Sequence, residues 1–259
     1  MNVLELFSLK GKVALVTGGA GLYGVTISTA LGEAGASVVI ASRNLNRCEK
    51  VAKDLRSKNL DVVAMPLDLS IKDSIIALKD RIVNTYGKID ILFNNAVARK
   101  GGSMDIMTAE EWEEPMKVNS TGLFLCSKIF IEEMVKQKSG SVINISSIYG
   151  IVGPDFSIYG NTGMTNPANY SFAKGGMIAF TRYLATYYAK YNIRVNCISP
   201  GGLFTNQPKE FVDNYIKRTP LGRMANEDDL KGAAVFLASD ASSYITGHNL
   251  VVDGGWTIW

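Results

Sequence analysis

Residues 12–17, KVALVT, form a short apolar run rich in β-branched side chains, and four glycines, Gly18, Gly19, Gly21 and Gly24, follow at once. A run of this length bounded by turn signals reads as a buried parallel strand. Residues 25–34 then have a helical pattern. Gly19-x-Gly21-x-x-Gly24 therefore lies between a strand and a helix. In that setting glycines let backbone amides approach a pyrophosphate at a helix N-terminus. A glycine turn with no ligand is the competing reading, and the position directly after the first strand weighs against it. The candidate contacts are Gly18, Gly21, Leu22, Tyr23 and Gly24.

The same alternation continues down the chain. Apolar runs at 37–41, 62–67, 89–93, 141–145, 194–198 and 250–252 read as strands. Amphipathic stretches at 45–56, 71–86, 173–188 and 228–238 read as helices. Another begins at Thr108, with Glu111 as its capping-box partner, and runs past Asn119 toward residue 135. Residues 203–225 lack a period and read as a lid with short helices. No linker or repeat interrupts the pattern, which predicts one α/β domain over residues 1–259. Its core is a Rossmann-like, doubly wound parallel sheet with helices on both faces. Ligands of such sheets bind outside the carboxyl ends of the strands. Gly19, Arg43, Asp68, Asn94, Ser147 and Pro200 all fall at those ends.

Composition removes several alternatives. Apolar residues make up 47% of 259 residues, enough for a substantial core. The net charge of +3 and the absence of a Lys/Arg stripe argue against nucleic acid. No apolar run approaches the ~20 residues that span a bilayer, and no leader peptide is read at the N-terminus. Cys48, Cys126 and Cys197 are odd in number and unpatterned, which suits a reducing cytoplasm better than disulfides or zinc. A lone histidine, His248, builds neither a His-based metal site nor a Ser-His-Asp triad; a structural role before the last strand is expected. No metal is expected.

At the end of the second strand, where a dinucleotide fold reads the adenosine ribose, Ser42-Arg43 offers a hydroxyl and a guanidinium in place of an acid. Arg43 suits a 2′-phosphate fork, so NADP(H) is favoured, with NAD(H) possible. Ala20 adds no second basic group in the turn. Asp68 is expected to accept from the adenine amino group, beside Leu69, or to cap the next helix, the two roles being compatible. Asn95 and the small Ala96 suit a ribose passing over the fourth strand. Further on stand Ser146, Ser147, Tyr170 and Lys174. A phenol has a free pKa of about 10, and bringing one near neutrality takes roughly 4 kcal/mol. A lysine one helical turn away supplies attraction of that kind, and a serine hydroxyl can hold a carbonyl oxygen. A Tyr-x-x-x-Lys spacing alone arises by chance in roughly half of chains this long, so its weight comes from the strand-end context.

Taken together, Thr17-Gly18 with Gly24, Asp68, Asn94-Asn95-Ala96, Asn119, Ser147 with Tyr170 and Lys174, Pro200-Gly201 and Val252-Asp253-Gly254-Gly255 resemble the short-chain dehydrogenase/reductase family over nearly the whole chain. The resemblance implies that Tyr170 is the acid/base and that Lys174 lowers its pKa and grips the nicotinamide ribose. It implies that Ser147 polarises the carbonyl and that Asn119 holds a water relaying protons to the lysine. It places Pro200, Gly201, Leu203 and Thr205 at the nicotinamide end. It also implies a homo-oligomer, tetramer or dimer, packed through the helices after Thr108 and Tyr170. Three departures stand out: Gly21 is one residue early, Val97 replaces a glycine, and the 153–169 segment is inserted before the tyrosine. Tyr159 within it is a decoy, since Gly163 stands where the lysine belongs. The polar insertion favours a small hydroxylated substrate such as a sugar, sugar acid or polyol; similar loops occur in reductases of surface-sugar and nonulosonic-acid pathways, and gluconate dehydrogenases are near. The alternatives are reduction of 3-oxoacyl groups on acyl carrier protein, with Lys136, Lys138 and Lys190 as a docking patch by the pocket, and a catalytically silent cofactor-binding scaffold. The aromatic tail 256–259 is expected either at an interface or closing a pocket.

Overall fold

The computed structural model describes residues 2–259. A short N-terminal helix, α1 (Val3–Leu6), is closed by a capping box between Asn2 and Glu5 and buries no side chain. Then β1 (Val13–Thr17), α2 (Leu22–Glu33), β2 (Ser37–Ser42), α3 (Leu45–Ser57), β3 (Val62–Pro66), α4 (Lys72–Tyr86) and β4 (Ile91–Asn94) alternate. The second half runs α5 (Ala109–Met116), α6 (Leu123–Gln137), β5 (Gly140–Ile145), α7 (Ala168–Tyr188), β6 (Ile193–Pro200), α8 (Lys209–Lys217), α9 (Lys231–Ala238) and β7 (Asn249–Val252).

All seven strands are parallel, in the order β3-β2-β1-β4-β5-β6-β7. The period of two divides β1 between the faces. Ala14 and Val16 pack with Ile27 and Leu31 of α2, Ala52 of α3 and Ala234 of α9. Val13 and Leu15 pack with Ile75 of α4, Phe130 of α6 and Leu184 of α7. The chain winds outward from β1 in one direction and from β4 in the other, so a crevice opens between their carboxyl ends. A third cluster, off the sheet, joins Tyr159, Phe211, Tyr215, Met224 and Trp256 over the β5–β6 end of that crevice.

The expected helix from Thr108 to residue 135 is interrupted. Its capping box is present at Thr108 and Glu111, but residues 117–122 form a π-helical turn carrying Asn119. Pro115 lies just upstream, inside α5. It has no N–H to return to the carbonyl of Glu111. The buried amide of Asn169 supplies that missing donor at 2.9 Å. Helix α7 begins at Ala168, five residues before the expected start, with Pro167 at its N-cap. The inserted segment is not wholly irregular either: residues 156–159 make one 3-10 turn. Helices α2 and α9 begin at Leu22 and Lys231 rather than at 25 and 228.

Candidate active site

The crevice is a cleft of about 960 Å³ lined from the glycine turn to the insertion. At one end, Gly18 adopts φ +65°, and a Cβ there would stand 2.9 Å from the backbone of Ala96. A Cβ on Gly24 would stand 2.2 Å from the carbonyl of Gly18. The turn is thus folded so tightly that only glycines fit, and α2 begins directly behind it with Gly21 as its N-cap. Gly21 donates to the Gly18 carbonyl at 2.8 Å, so the early glycine closes the turn. Asn95 spends both amide hydrogens on the carbonyls of Thr17 and Gly18, at 3.0 and 3.1 Å. It fastens β4 to the glycine turn and leaves only its amide oxygen for a ligand. The Tyr23 hydroxyl donates to the Gly201 carbonyl at 2.8 Å, tying the turn to the loop after β6.

Ser42 and Arg43 stand at the end of β2, on the same wall as Arg47. The sequence reading missed Arg47, although its spacing of four from Arg43 carries the signal. No carboxylate among the described residues pairs with either arginine. Asp68 does not cap α4, whose N-cap is Ile71 with no side-chain bond. Its carboxylate instead accepts from the backbone and hydroxyl of Ser70, at 2.9 and 2.6 Å. The Ser70 hydroxyl, more than Arg43 nearby, holds the carboxyl below its usual range. Leu69 and Ala96 line the cleft beside it. This half fits a dinucleotide phosphate: a glycine cradle, a helix start and two unpaired guanidiniums.

At the other end Tyr170 and Lys174 share the buried face of α7, 7% and 4% exposed. The lysine ammonium lies 5.7 Å from the centre of the tyrosine ring and donates to the carbonyl of Ile145 at 2.5 Å. Ser146 donates to the Lys174 carbonyl at 2.8 Å, so it is spent on structure. Ser147 faces the cleft, its hydroxyl accepting from the Tyr149 amide at 3.2 Å. Burial pushes the Tyr170 phenol up, but Lys174 and Arg99, helped by the Ser147 hydroxyl, bring it below its ordinary value. Burial likewise lowers Lys174, against the pull of Tyr170. Arg99 escaped the sequence reading. Its Nη2 donates to the Tyr170 hydroxyl at 3.2 Å, with the guanidinium carbon 4.8 Å from the ring centre.

Asn119 lies on the π turn, but its side chain is committed. Its Oδ1 accepts from the Ala98 amide and its Nδ2 donates to the Ala98 carbonyl, both at 2.8 Å. That leaves neither side-chain atom of Asn119 free for a water, and the residue itself does not line the cleft. Leu203 pairs with Ala225 across the lid, and the Thr205 amide donates to Gln207 at 2.7 Å. Pro200, Gly201, Leu203 and Thr205 all line the cleft. Tyr159 is buried, stacked on Phe211 at 5.6 Å and 3.4 Å from the Tyr149 hydroxyl; burial raises its pKa. Insertion and lid are joined. Glu210 of α8 accepts from the Asn161 amide at 3.1 Å, and Arg218 meets Asp155 at 3.3 Å. The tail divides: Trp256 stacks on Tyr215 at 6.0 Å inside the third cluster, while Trp259 is exposed. Trp256 Nε1 is the one buried side-chain polar atom among the described residues without a partner.

Lys136, Lys138 and Lys190 are not beside the pocket. They precede β5 and β6, at the strands' amino ends, across the sheet from the cleft. No group of three or more His, Cys, Asp or Glu side chains among the described residues is arranged to hold a metal. No helix is long and apolar enough to cross a membrane.

A wound sheet with this phenol and ammonium at its crevice defines a nicotinamide-dependent oxidoreductase. The chain belongs to the short-chain dehydrogenase/reductase family: a family model described as enoyl-(acyl carrier protein) reductase matches residues 22–257. Among curated proteins it is similar to 5-keto-D-gluconate 5-reductase of Escherichia coli K12, 35% identical over 98% of both chains. It is equally similar to the 3-oxoacyl-(acyl-carrier-protein) reductase of Thermotoga maritima, 35% identical over 96% of this chain and 99% of that one. Among solved structures, a gluconate 5-dehydrogenase from Burkholderia cenocepacia J2315 in complex with NADP and tartrate superposes with a TM-score of 0.90. It is 32% identical, over the whole of both chains. The protein is an NAD(P)-dependent enzyme interconverting a secondary alcohol and a ketone.

Proposed function

We propose that this chain is an NADP(H)-dependent oxidoreductase whose substrate is a keto sugar acid and the matching hydroxy acid. The observation that carries this is the charge of the cleft. Arg43, Arg47, Arg99, Lys100 and Lys174 line it, against Asp68 as the only carboxylate, at the adenosine end. A cleft so poor in acid suits a phosphate at one end and an anionic substrate at the other. Hydroxyls and an amide from Tyr149, Tyr159, Thr165 and Asn166 line the substrate end, suited to a polyol chain. The relative that reduces 5-keto-D-gluconate and the neighbour holding NADP and tartrate support the same chemistry.

Arg43 and Arg47 hold the 2′-phosphate in this reading, and Gly18, Gly21, Leu22 and Tyr23 receive the pyrophosphate at the start of α2. Leu203 and Thr205 meet the nicotinamide end. The cofactor, when bound, supplies or accepts the hydride. Ser147 holds the carbonyl oxygen, and Tyr170 delivers the proton in reduction or takes it in oxidation. Lys174 stabilises the phenolate. Reduction of 3-oxoacyl thioesters is the second reading, favoured by relatives of equal identity. The misplaced lysines and the insertion over the pocket weigh against it.

The same reading makes the protein a cytoplasmic homo-oligomer. Phe172, Tyr183 and Tyr187 of α7 are 61%, 61% and 56% exposed, and exposed aromatic faces of this kind commonly mark contact surfaces. The deciding experiment is a panel of 5-ketogluconate, neutral ketoses and a 3-oxoacyl thioester, followed by NADPH absorbance. The keto acid is expected to lead the ketoses by at least about tenfold in kcat/KM, roughly one charge-assisted hydrogen bond. A thioester that outruns the keto acid ends the proposal.

A further inference from the structure

Arg99 is a cation without an acid. No described carboxylate lies within salt-bridge reach of it, whereas its neighbour Lys100 pairs with Glu114. Its root is fixed on both sides. Asn119 clamps the amide and carbonyl of Ala98, and Asn169 holds the carbonyl of Lys100 at 3.1 Å. The long side chain extends from that pinned point, exposed to solvent, and rests on Tyr170 with its guanidinium on both ring face and hydroxyl.

We propose that Arg99 is a second cationic partner of Tyr170, handed from the phenol to the carboxylate of the substrate on binding. An acidic substrate, unlike a neutral one, then leaves Tyr170 in full possession of its proton. This inference rests on the sugar-acid reading and assigns Arg99 its part in it.

The groups facing Tyr170 make the hand-over consequential. Lys174 comes from its own helix, Ser147 and Tyr149 from the turn after β5, Tyr159 from the insertion, and Tyr23 from α2. None is an acid. Two positive charges therefore favour the phenolate, with nothing opposing them but burial. That suits a base for oxidation and ill suits a proton donor. In reduction the carbonyl carbon gains hydride from NADPH while its oxygen takes the proton from Tyr170 Oη. The O–H bond of the phenol breaks, and the phenolate left behind is held by Lys174. The phenol must keep its proton until that moment. Lys174 is buried and anchored on Ile145; Arg99 is exposed to solvent and is joined to Tyr170 by one hydrogen bond. A carboxylate binding both nitrogens of the guanidinium in a fork withdraws the donor from Oη and cancels its charge. The substrate's own charge thereby sets the protonation of the group that reduces it.

The test is a titration of tyrosinate absorbance in the NADPH complex, with Tyr170→Phe as the blank. Gluconate and xylitol are the probes, since neither alcohol reacts with the reduced cofactor. Gluconate is expected to move the Tyr170 midpoint to higher pH, and xylitol to leave it in place. Without ligand, Arg99→Gln is expected to start from a higher midpoint and then ignore gluconate; Arg99→Lys restores part of the response. Unchanged NADPH affinity in both variants shows that the fold is kept. The hand-over is overturned if xylitol shifts the midpoint as gluconate does. The pairing itself is overturned if wild type and Arg99→Gln share one ligand-free midpoint. If gluconate fails to bind while that ligand-free difference persists, the hand-over falls together with the sugar-acid substrate, and the pairing remains.

Discussion

Replacing Asn169 tests how the loop bearing Arg99 is held. Asn169 is 1% exposed, and its Nδ2 donates to the carbonyls of Lys100 and Glu111 at 3.1 and 2.9 Å. At about 1 kcal/mol net for each bond, Asn169→Ala should cost about 2 kcal/mol. The bond to Glu111 exists because Pro115 has no N–H to give that carbonyl. Pro115→Ala supplies one, at the spacing of a normal helical bond. In that background the loss of Asn169 should cost only about 1 kcal/mol, a coupling of about 1 kcal/mol between residues 54 apart in sequence. Urea unfolding midpoints of wild type, both single variants and the double variant, at one protein concentration, measure this. Costs that add to within about 0.4 kcal/mol, the usual scatter for independent sites, would refute the account.

Arg43→Ala and Arg47→Ala should each weaken NADPH binding by about tenfold and leave NADH binding nearly unchanged; equal losses for both cofactors in a fluorescence titration would remove these residues from the 2′-phosphate. Lys174→Met should move the half-maximal pH of oxidation upward. A cation favours the phenolate, so its loss raises the Tyr170 pKa, and the base form then appears only at higher pH. An unshifted pH–rate profile contradicts this. If the proposed oligomer packs through α7, Phe172→Glu with Tyr183→Glu should yield monomers on size exclusion, and an elution volume equal to that of wild type would clear that face of any role in assembly.

The wound sheet is legible in the sequence because buried parallel strands must be apolar on both faces. Runs such as SVVIA and VINI have few other homes, and every expected strand begins or ends within two residues of its observed bounds. The meeting of Tyr170, Lys174 and Ser147 at the crevice is legible through spacing and resemblance, whereas the commitment of the Asn119 side chain to Ala98 is not. The start of α7 is not, because NPANY has the composition of a loop; Pro167 stands at the N-cap without a side-chain cap bond, so no capping residue marks the start. Arg99 is hidden for another reason. It meets Tyr170 across 71 residues through a loop whose course depends on Asn119 and Asn169, and no periodicity encodes that. The π turn left one trace, the proline inside α5, whose meaning appears only once Asn169 is seen beside it.

The insertion and α8 hold each other through Asn161 with Glu210, Asp155 with Arg218, and Tyr159 with Phe211. A chimaera that grafts either segment alone into a related enzyme would strand one half of three matched contacts. Recipient scaffolds should accept the two only when transplanted together, so a change of substrate by loop exchange requires moving 153–167 and 208–218 as one cassette.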